Sequence, residues 1–237
     1  MGSFGAEVAK VYLFLYNVFT GGMWGYVLYI LVSHFLEVGP TLTDLHLFYE
    51  KVELPLQIAQ TLAVMEVIHA FTGLVRSDFF TNLIQVVSRL HVVWIIFLVN
   101  PANHSFPFMA SAILAWSIAE LIRYPFYALS LYGLCPSFLT FLRYSGFLVL
   151  YPVGIISEVA SCVNCLAFFQ TTPAMRQFPS PMPNKWNFEI DLFVTYLVVL
   201  ATYIPGSYVM YTHMLGQRKK TMQKMKEEAK AKKSKKA

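Results

Sequence analysis

A tyrosine and a glutamate seven residues apart, Tyr151 and Glu158, are the pair in this sequence best suited to proton chemistry. They lie in the run LRYSGFLVLYPVGIISEVA, which begins at Leu142 and also places Tyr144 seven residues before Tyr151. At about 100° per residue, a seven-residue step returns to within about 20° of the same helix face, roughly 10 Å further along the axis. Tyr151 and Glu158 therefore share a stripe. Between them stand Pro152 and Gly154, and in a helix a proline removes a backbone donor while a glycine lets another helix or a substrate come close. A phenol and a carboxyl so spaced form a candidate acid/base pair. Tyrosines are also common as belt residues at membrane interfaces, an explanation that suits Tyr144 better than Tyr151.

The elements that must carry this stripe follow from composition. Of 237 residues, 57% are hydrophobic and 13% charged, whereas a water-soluble domain has roughly 45–50% apolar and about 25% charged residues. Six apolar runs, at 12–32, 54–75, 79–99, 106–127, 144–168 and 190–213, each approach the about 20 residues that cross a bilayer. The expected fold is an all-α membrane protein, a bundle of six transmembrane helices. The expected organisation is a six-helix catalytic domain over 1–216 and a basic cytoplasmic tail over 217–237. That tail holds ten Lys/Arg and two Glu, so the preceding residues carry a net charge of −3 although the whole chain is +5. With a cytoplasmic N-terminus, one side receives Lys10, Arg76, Arg123, Arg143 and the tail, and the other receives Lys51, Arg176 and Lys185. Both termini are then cytoplasmic. The first run has only Lys10 before it and no small-residue cleavage site after it, so it is expected to stay as a helix. Basic side chains are not interleaved with aromatics within a folded unit, which argues against nucleic acid. Three cysteines give no disulfide framework.

Polar and ionisable side chains inside apolar spans are costly and each is a candidate functional group. They include Glu66 and His69 in the second run, Gln85, Arg89 and His91 in the third, and Glu120 and Arg123 in the fourth. Interhelical ion pairs that fix packing are the competing reading for Glu66, Arg89 and Glu120. Cys162 and Cys165 form a C-x2-C one to two turns beyond Glu158, without the further ligands that zinc would need, and are expected to pack as ordinary apolar residues.

The string LRYSGFLVLYPVGIISE resembles the signature of the membrane 3-hydroxyacyl-CoA dehydratases, also called protein tyrosine phosphatase-like proteins. VYLFLYN, QVVSRLHVVW, WSIAELIRYPFYAL and PGSYVMYTHMLGQRKK support it across nearly the whole chain, with the plant members most similar. The resemblance implies an endoplasmic reticulum enzyme that removes water from a very-long-chain (3R)-3-hydroxyacyl-CoA to give the trans-2-enoyl-CoA, the third step of fatty acid elongation. It needs no metal or redox cofactor, and its implied partners are the ketoacyl-CoA synthase, ketoacyl-CoA reductase and enoyl-CoA reductase subunits. The family's catalytic tyrosine and glutamate fall on Tyr151 and Glu158, and its other polar motif positions on Glu66, Gln85, Arg89, Arg143 and Gly154. Either of the pair can be drawn as base. With Glu158 taking the C2 proton, Tyr151 protonates the leaving hydroxyl, and Arg89 or a backbone N–H near Pro152 stabilises the enolate oxygen. Coenzyme A is expected at the cytoplasmic face near Arg143, with Arg76 and Arg123 as further candidates.

Two other classes compete. HAFTGLVR, from His69 to Arg76, copies the tyrosine phosphatase pattern His-Cys-x5-Arg, but Ala70 replaces the nucleophile, so no phosphoenzyme can form. A phosphoprotein-binding scaffold in the elongase complex remains an alternative. A proton-linked transporter lacks the internal repeats expected of one. Lys233 and Lys235 fit a K-x-K-x-x retrieval signal, and attraction of the tail to anionic lipid is an equal alternative.

Overall fold

The computed structural model describes residues 3–38, 44–178 and 190–234. Among them, helices join end to end into six rods. The first is α1 (Ser3–Val38). The second is α2 (Leu45–Leu62) followed after Ala63 by α3 (Val64–Phe71). The third is α4 (Phe79–His91), running into a π-helical turn at Val92–Phe97. The fourth is α5 (Pro107–Ser130). The fifth is α6 (Ser137–Ser145), separated by Gly146 from α7 (Phe147–Thr171), and the sixth is α8 (Leu192–Ser234). A two-residue antiparallel ladder pairs Gln177 with Asp191 and Phe178 with Ile190. The Pro-rich stretch 179–184, Lys185 and Lys235 lie outside the described residues.

Five rods are long and apolar enough to cross a membrane: Gly5–Val38, Leu45–Phe71, Phe79–Phe97, Ser137–Thr171 and Leu192–Glu228. The second run thus begins earlier and ends four residues sooner than the expected 54–75, because Gly73 at φ +70° turns the chain after Phe71. The fourth rod, α5, is long enough but falls outside this apolar set among the described helices. Its polar residues, including Ser117 and Glu120, are buried. α5 is the central element, packed on one side by α1 and on the other by α7. Charge is tolerable there because Glu120 is buried among neighbouring helices and paired.

Contacts along the rods run antiparallel. Tyr12 meets His69 and Glu37 meets Lys51 between the first two rods, and Phe14 meets Tyr132 between α1 and α5. Phe126 packs on Tyr144 while Ser111 reaches Ser157 between α5 and the fifth rod. Glu158 meets Tyr203 and Ser145 meets Arg218 between that rod and α8. The start of α1 and the basic end of α8 therefore lie at one end of the bundle.

The dry core is built by Trp24, Val27, Phe48, Val52, Ile96, Phe97, Met109, Ile113, Cys165, Phe169 and Tyr196. It clamps the first turns of α8, where Leu192 and Tyr196 are buried. Beyond this point α8 is held on a single face, with Tyr203, Ser207, Tyr211, Met214 and Arg218 half-buried and most neighbours exposed. Cys162 and Cys165 are buried and unpaired, and Cys165 Sγ accepts hydrogen bonds from Asn100 and Asn103. No group of metal-ligating side chains occurs among the described residues. Both side chains belong to the buried core cluster.

Candidate active site

Tyr151 and Glu158 both lie on α7, with Gly154 between them on the same stripe. Tyr144 does not belong to this helix; it ends α6 and packs edge-on against Phe126. Pro152 sits inside α7 and deprives the Leu148 carbonyl of its usual i+4 donor. What the proline frees is an acceptor.

Both oxygens of Glu158 are held from other helices. Trp116 Nε1–H of α5 donates to Oε1 at 2.9 Å, and the Tyr203 hydroxyl of α8 donates to Oε2 at 2.8 Å. Trp116 in turn lies under the Arg89 guanidinium, 5.4 Å from the ring centroid, and Arg89 sits at the same distance from Trp24. The Tyr151 ring stacks on Tyr211 of α8, centroids 6.0 Å apart, and Ser207 lies one turn before Tyr211 on the same half-buried face. A Cβ placed on Gly154 meets no atom within 4 Å. The stripe between phenol and carboxyl therefore has open space at Gly154.

A second cluster adjoins this one. Arg89 pairs with Glu120, Arg123 Nε donates to Glu120 at 2.5 Å, and the Arg123 fork makes two 2.7 Å bonds to Glu66. The Tyr124 hydroxyl completes it with a 2.6 Å bond to Glu66. This is the interhelical ion-pair reading, and it ties the second and third rods to α5. Arg123 is consumed by two carboxylates and is not available to coenzyme A, contrary to the expectation that it was a further candidate. Arg89 differs: Nη1 binds Glu120, while Nε and Nη2 are buried with no partner among the described residues. Gln85 is exposed on α4, one turn before Arg89. Glu120 is 3% exposed. Removing its charge leaves two buried guanidiniums short of a counter-ion, so Glu120→Gln is expected to destabilise the fold by about 3–5 kcal/mol, read as a lower unfolding midpoint in detergent.

At the bundle end shared by the start of α1, Arg143 closes α6, where Nη2 donates to the Tyr127 hydroxyl at 3.2 Å and the guanidinium lies 5.7 Å from the Tyr127 ring centroid. Arg218 Nε donates to Ser145 Oγ at 3.1 Å and brings the basic part of α8 to the same place. Arg76 is exposed beyond the end of α3. In the phosphatase-like segment His69 is buried, bonded to the Tyr12 hydroxyl at 2.8 Å and packed edge-on by Tyr12 and Tyr16. Helix followed by a turn stands where a phosphatase needs a strand and a phosphate loop. The residues not singled out in the sequence are Trp116, Tyr203, Ser207 and Tyr211. Their one legible signal was the spacing of four between 203, 207 and 211.

The family described as Protein tyrosine phosphatase-like protein, PTPLA, matches residues 60–224. Over 229 residues the chain is 43% identical to the rice (Oryza sativa subsp. japonica) very-long-chain (3R)-3-hydroxyacyl-CoA dehydratase PASTICCINO 2A, covering 95% of this chain and 99% of the relative. It is 41% identical to Arabidopsis thaliana PASTICCINO 2, with 96% and 100% covered. The mouse (Mus musculus) very-long-chain (3R)-3-hydroxyacyl-CoA dehydratase 2 is 33% identical, with 91% and 82% covered. No solved structure matches. A central ion-paired helix, a tyrosine–glutamate stripe facing α8 and relatives of nearly full length agree, and the chain belongs to the protein tyrosine phosphatase-like family of very-long-chain (3R)-3-hydroxyacyl-CoA dehydratases.

Proposed function

We propose that this chain removes water from very-long-chain (3R)-3-hydroxyacyl-CoA to give trans-2-enoyl-CoA, with Glu158 as base and Tyr151 as acid. The observation that carries the assignment is the open gap at Gly154 between a phenol and a doubly held carboxyl on one helix stripe. Elimination needs two groups on two adjacent carbons. Glu158 takes the C2 proton, the C2–H electron pair passes to the thioester as an enolate, and its return forms the C2=C3 bond as the C3–O bond breaks and Tyr151 delivers its proton to the oxygen, which leaves as water. Charge develops on the thioester oxygen during this step. Arg89, with two unpartnered N–H groups, supports that reading as the nearby cationic donor.

The substrate divides between two solvents. Each buried CH₂ of the acyl chain favours the membrane interior by about 0.8 kcal/mol, whereas the polyanionic coenzyme must stay outside. Six spans place both termini on the cytoplasmic side, which the antiparallel rods and the gathering of Lys10, Arg143 and Arg218 at one end support. Residence in the endoplasmic reticulum membrane beside the elongase synthase and two reductases follows from the reaction's place in chain elongation. The phosphates then lie by Arg143 and Arg218, with the chain entering past Tyr151 toward Glu158.

Purified protein in detergent, given a synthetic (3R)-3-hydroxyacyl-CoA, is expected to form the enoyl-CoA. A scaffold would form none. Arg143→Ala is expected to raise KM about tenfold or more with a smaller change in kcat, the signature of lost ground-state binding. With a pantetheine thioester, which lacks the nucleotide phosphates, that defect should shrink. An equal loss with both substrates would assign Arg143 to the fold.

A further inference from the structure

Dehydration as described leaves the protein out of balance. After water departs, Glu158 carries an extra proton and Tyr151 lacks one, and a proton passed from the first to the second would reset both for the next turnover. No hydrogen bond joins the two among the described residues, and their seven-residue spacing puts roughly 10 Å of helix axis between them.

α8 supplies the missing connection. Trp116 Nε1–H can only donate, so Oε1 of Glu158 remains an acceptor whichever state the carboxyl is in. A hydroxyl can both donate and accept. The proton gained from C2 is thus best carried on Oε2, where the Tyr203 oxygen stands 2.8 Å away and reverses its role from donor to acceptor. One turn further along α8 is Ser207 on the same half-buried face, and one turn beyond it Tyr211 stacks on the Tyr151 ring and fixes its position. Their neighbours behave differently: Thr202 and Thr212 spend their hydroxyls on carbonyls of their own helix, as hydroxyls facing lipid commonly do. The half-buried face of α8 is therefore a row of hydroxyls bridging the two ends of the α7 stripe.

We infer that Tyr203 and Ser207 form a return path that carries a proton from Glu158 to Tyr151 after each turnover. In this step the Glu158 Oε2–H bond breaks as a new O–H bond forms at Tyr203. The proton originally on Tyr203 passes to Ser207, and the proton of Ser207 passes to the Tyr151 phenolate, with the product water filling any gap in the row. No oxidant, reductant or net charge is required. Both end groups are restored, and each intermediate hydroxyl gains one proton and loses one.

This inference rests on Glu158 and Tyr151 being the acid/base pair, and the test separates the two claims. Enoyl-CoA formation is followed by rapid quench with enzyme in excess, which reads the chemical step, and then with substrate in excess, which adds the reset. Tyr203→Phe is expected to lose about tenfold more in steady state than in the single turnover. Its time course should show a burst of one product per enzyme, and its slow phase should carry an enlarged solvent deuterium isotope effect. Ser207→Ala, a smaller change suited to the case in which Tyr203→Phe fails to fold, should show the same burst, and Ser207→Thr should abolish it. Equal losses in both regimes would make Tyr203 a positioning residue for Glu158 alone and overturn the relay, as would no loss in either. Failure of the underlying pair appears elsewhere, as a normal single turnover in Glu158→Gln.

Discussion

Glu158→Gln is expected to lower dehydration by the ~10²–10⁴ typical of a lost acid/base group, with the protein still folded. Glutamine keeps the shape of the side chain and its carbonyl can still accept from Trp116 or Tyr203, so the tie between α5, α7 and α8 is largely preserved. What is lost is a group able to take a proton. The loss should fall on kcat and kcat/KM alike, because the interaction with the C2 proton exists only in the transition state. Substrate affinity, read by equilibrium binding, should change little, since the acyl chain and the coenzyme are held elsewhere. Turnover within a few-fold of the parent would remove Glu158 from the mechanism.

Tyr151→Phe tests the other half of the pair and distinguishes the order of events. The substitution deletes one oxygen, leaves a ring to stack on Tyr211, and removes the proton donor for the departing hydroxyl. Dehydration should fall by ~10²–10⁴, again the scale of one general catalyst. Glu158 remains, so the variant is expected to exchange the substrate C2 proton with heavy water without completing the elimination. Mass spectrometry of the recovered 3-hydroxyacyl-CoA reads that exchange. Deuterium uptake without enoyl-CoA supports Glu158 as base and Tyr151 as acid. Normal dehydration would exclude an essential role for Tyr151, and loss of both signals with binding intact would indicate reversed roles or a concerted elimination.

The sequence by itself determined the membrane class, the stripe that joins Tyr151, Gly154 and Glu158, and the absence of a phosphatase nucleophile at residue 70. These are local properties: span length is a sum over about 20 residues, a helix stripe is fixed by 3.6 residues per turn, and a nucleophile is a residue type. It also supplied Arg89 as a candidate donor, because an arginine in an apolar run announces itself. Arg123 was equally conspicuous, and its pairing with Glu120 three positions away follows from one helix, yet its engagement with Glu66, 57 positions away, is brought about only by packing. The end of the tyrosine stripe shifted for a similar reason, since Gly146 interrupts the helix between Tyr144 and Tyr151. Tertiary structure alone decided the partners of Glu158 and which face of α8 packs on α7. Trp116 and Tyr203 reach one carboxyl from helices on either side of α7, a meeting set by the antiparallel register of three rods. The working face of α8 is invisible to hydropathy because lipid is as apolar as a protein interior, so the side turned to the membrane and the side turned to the site read alike. Only the neighbour that each residue touches tells them apart.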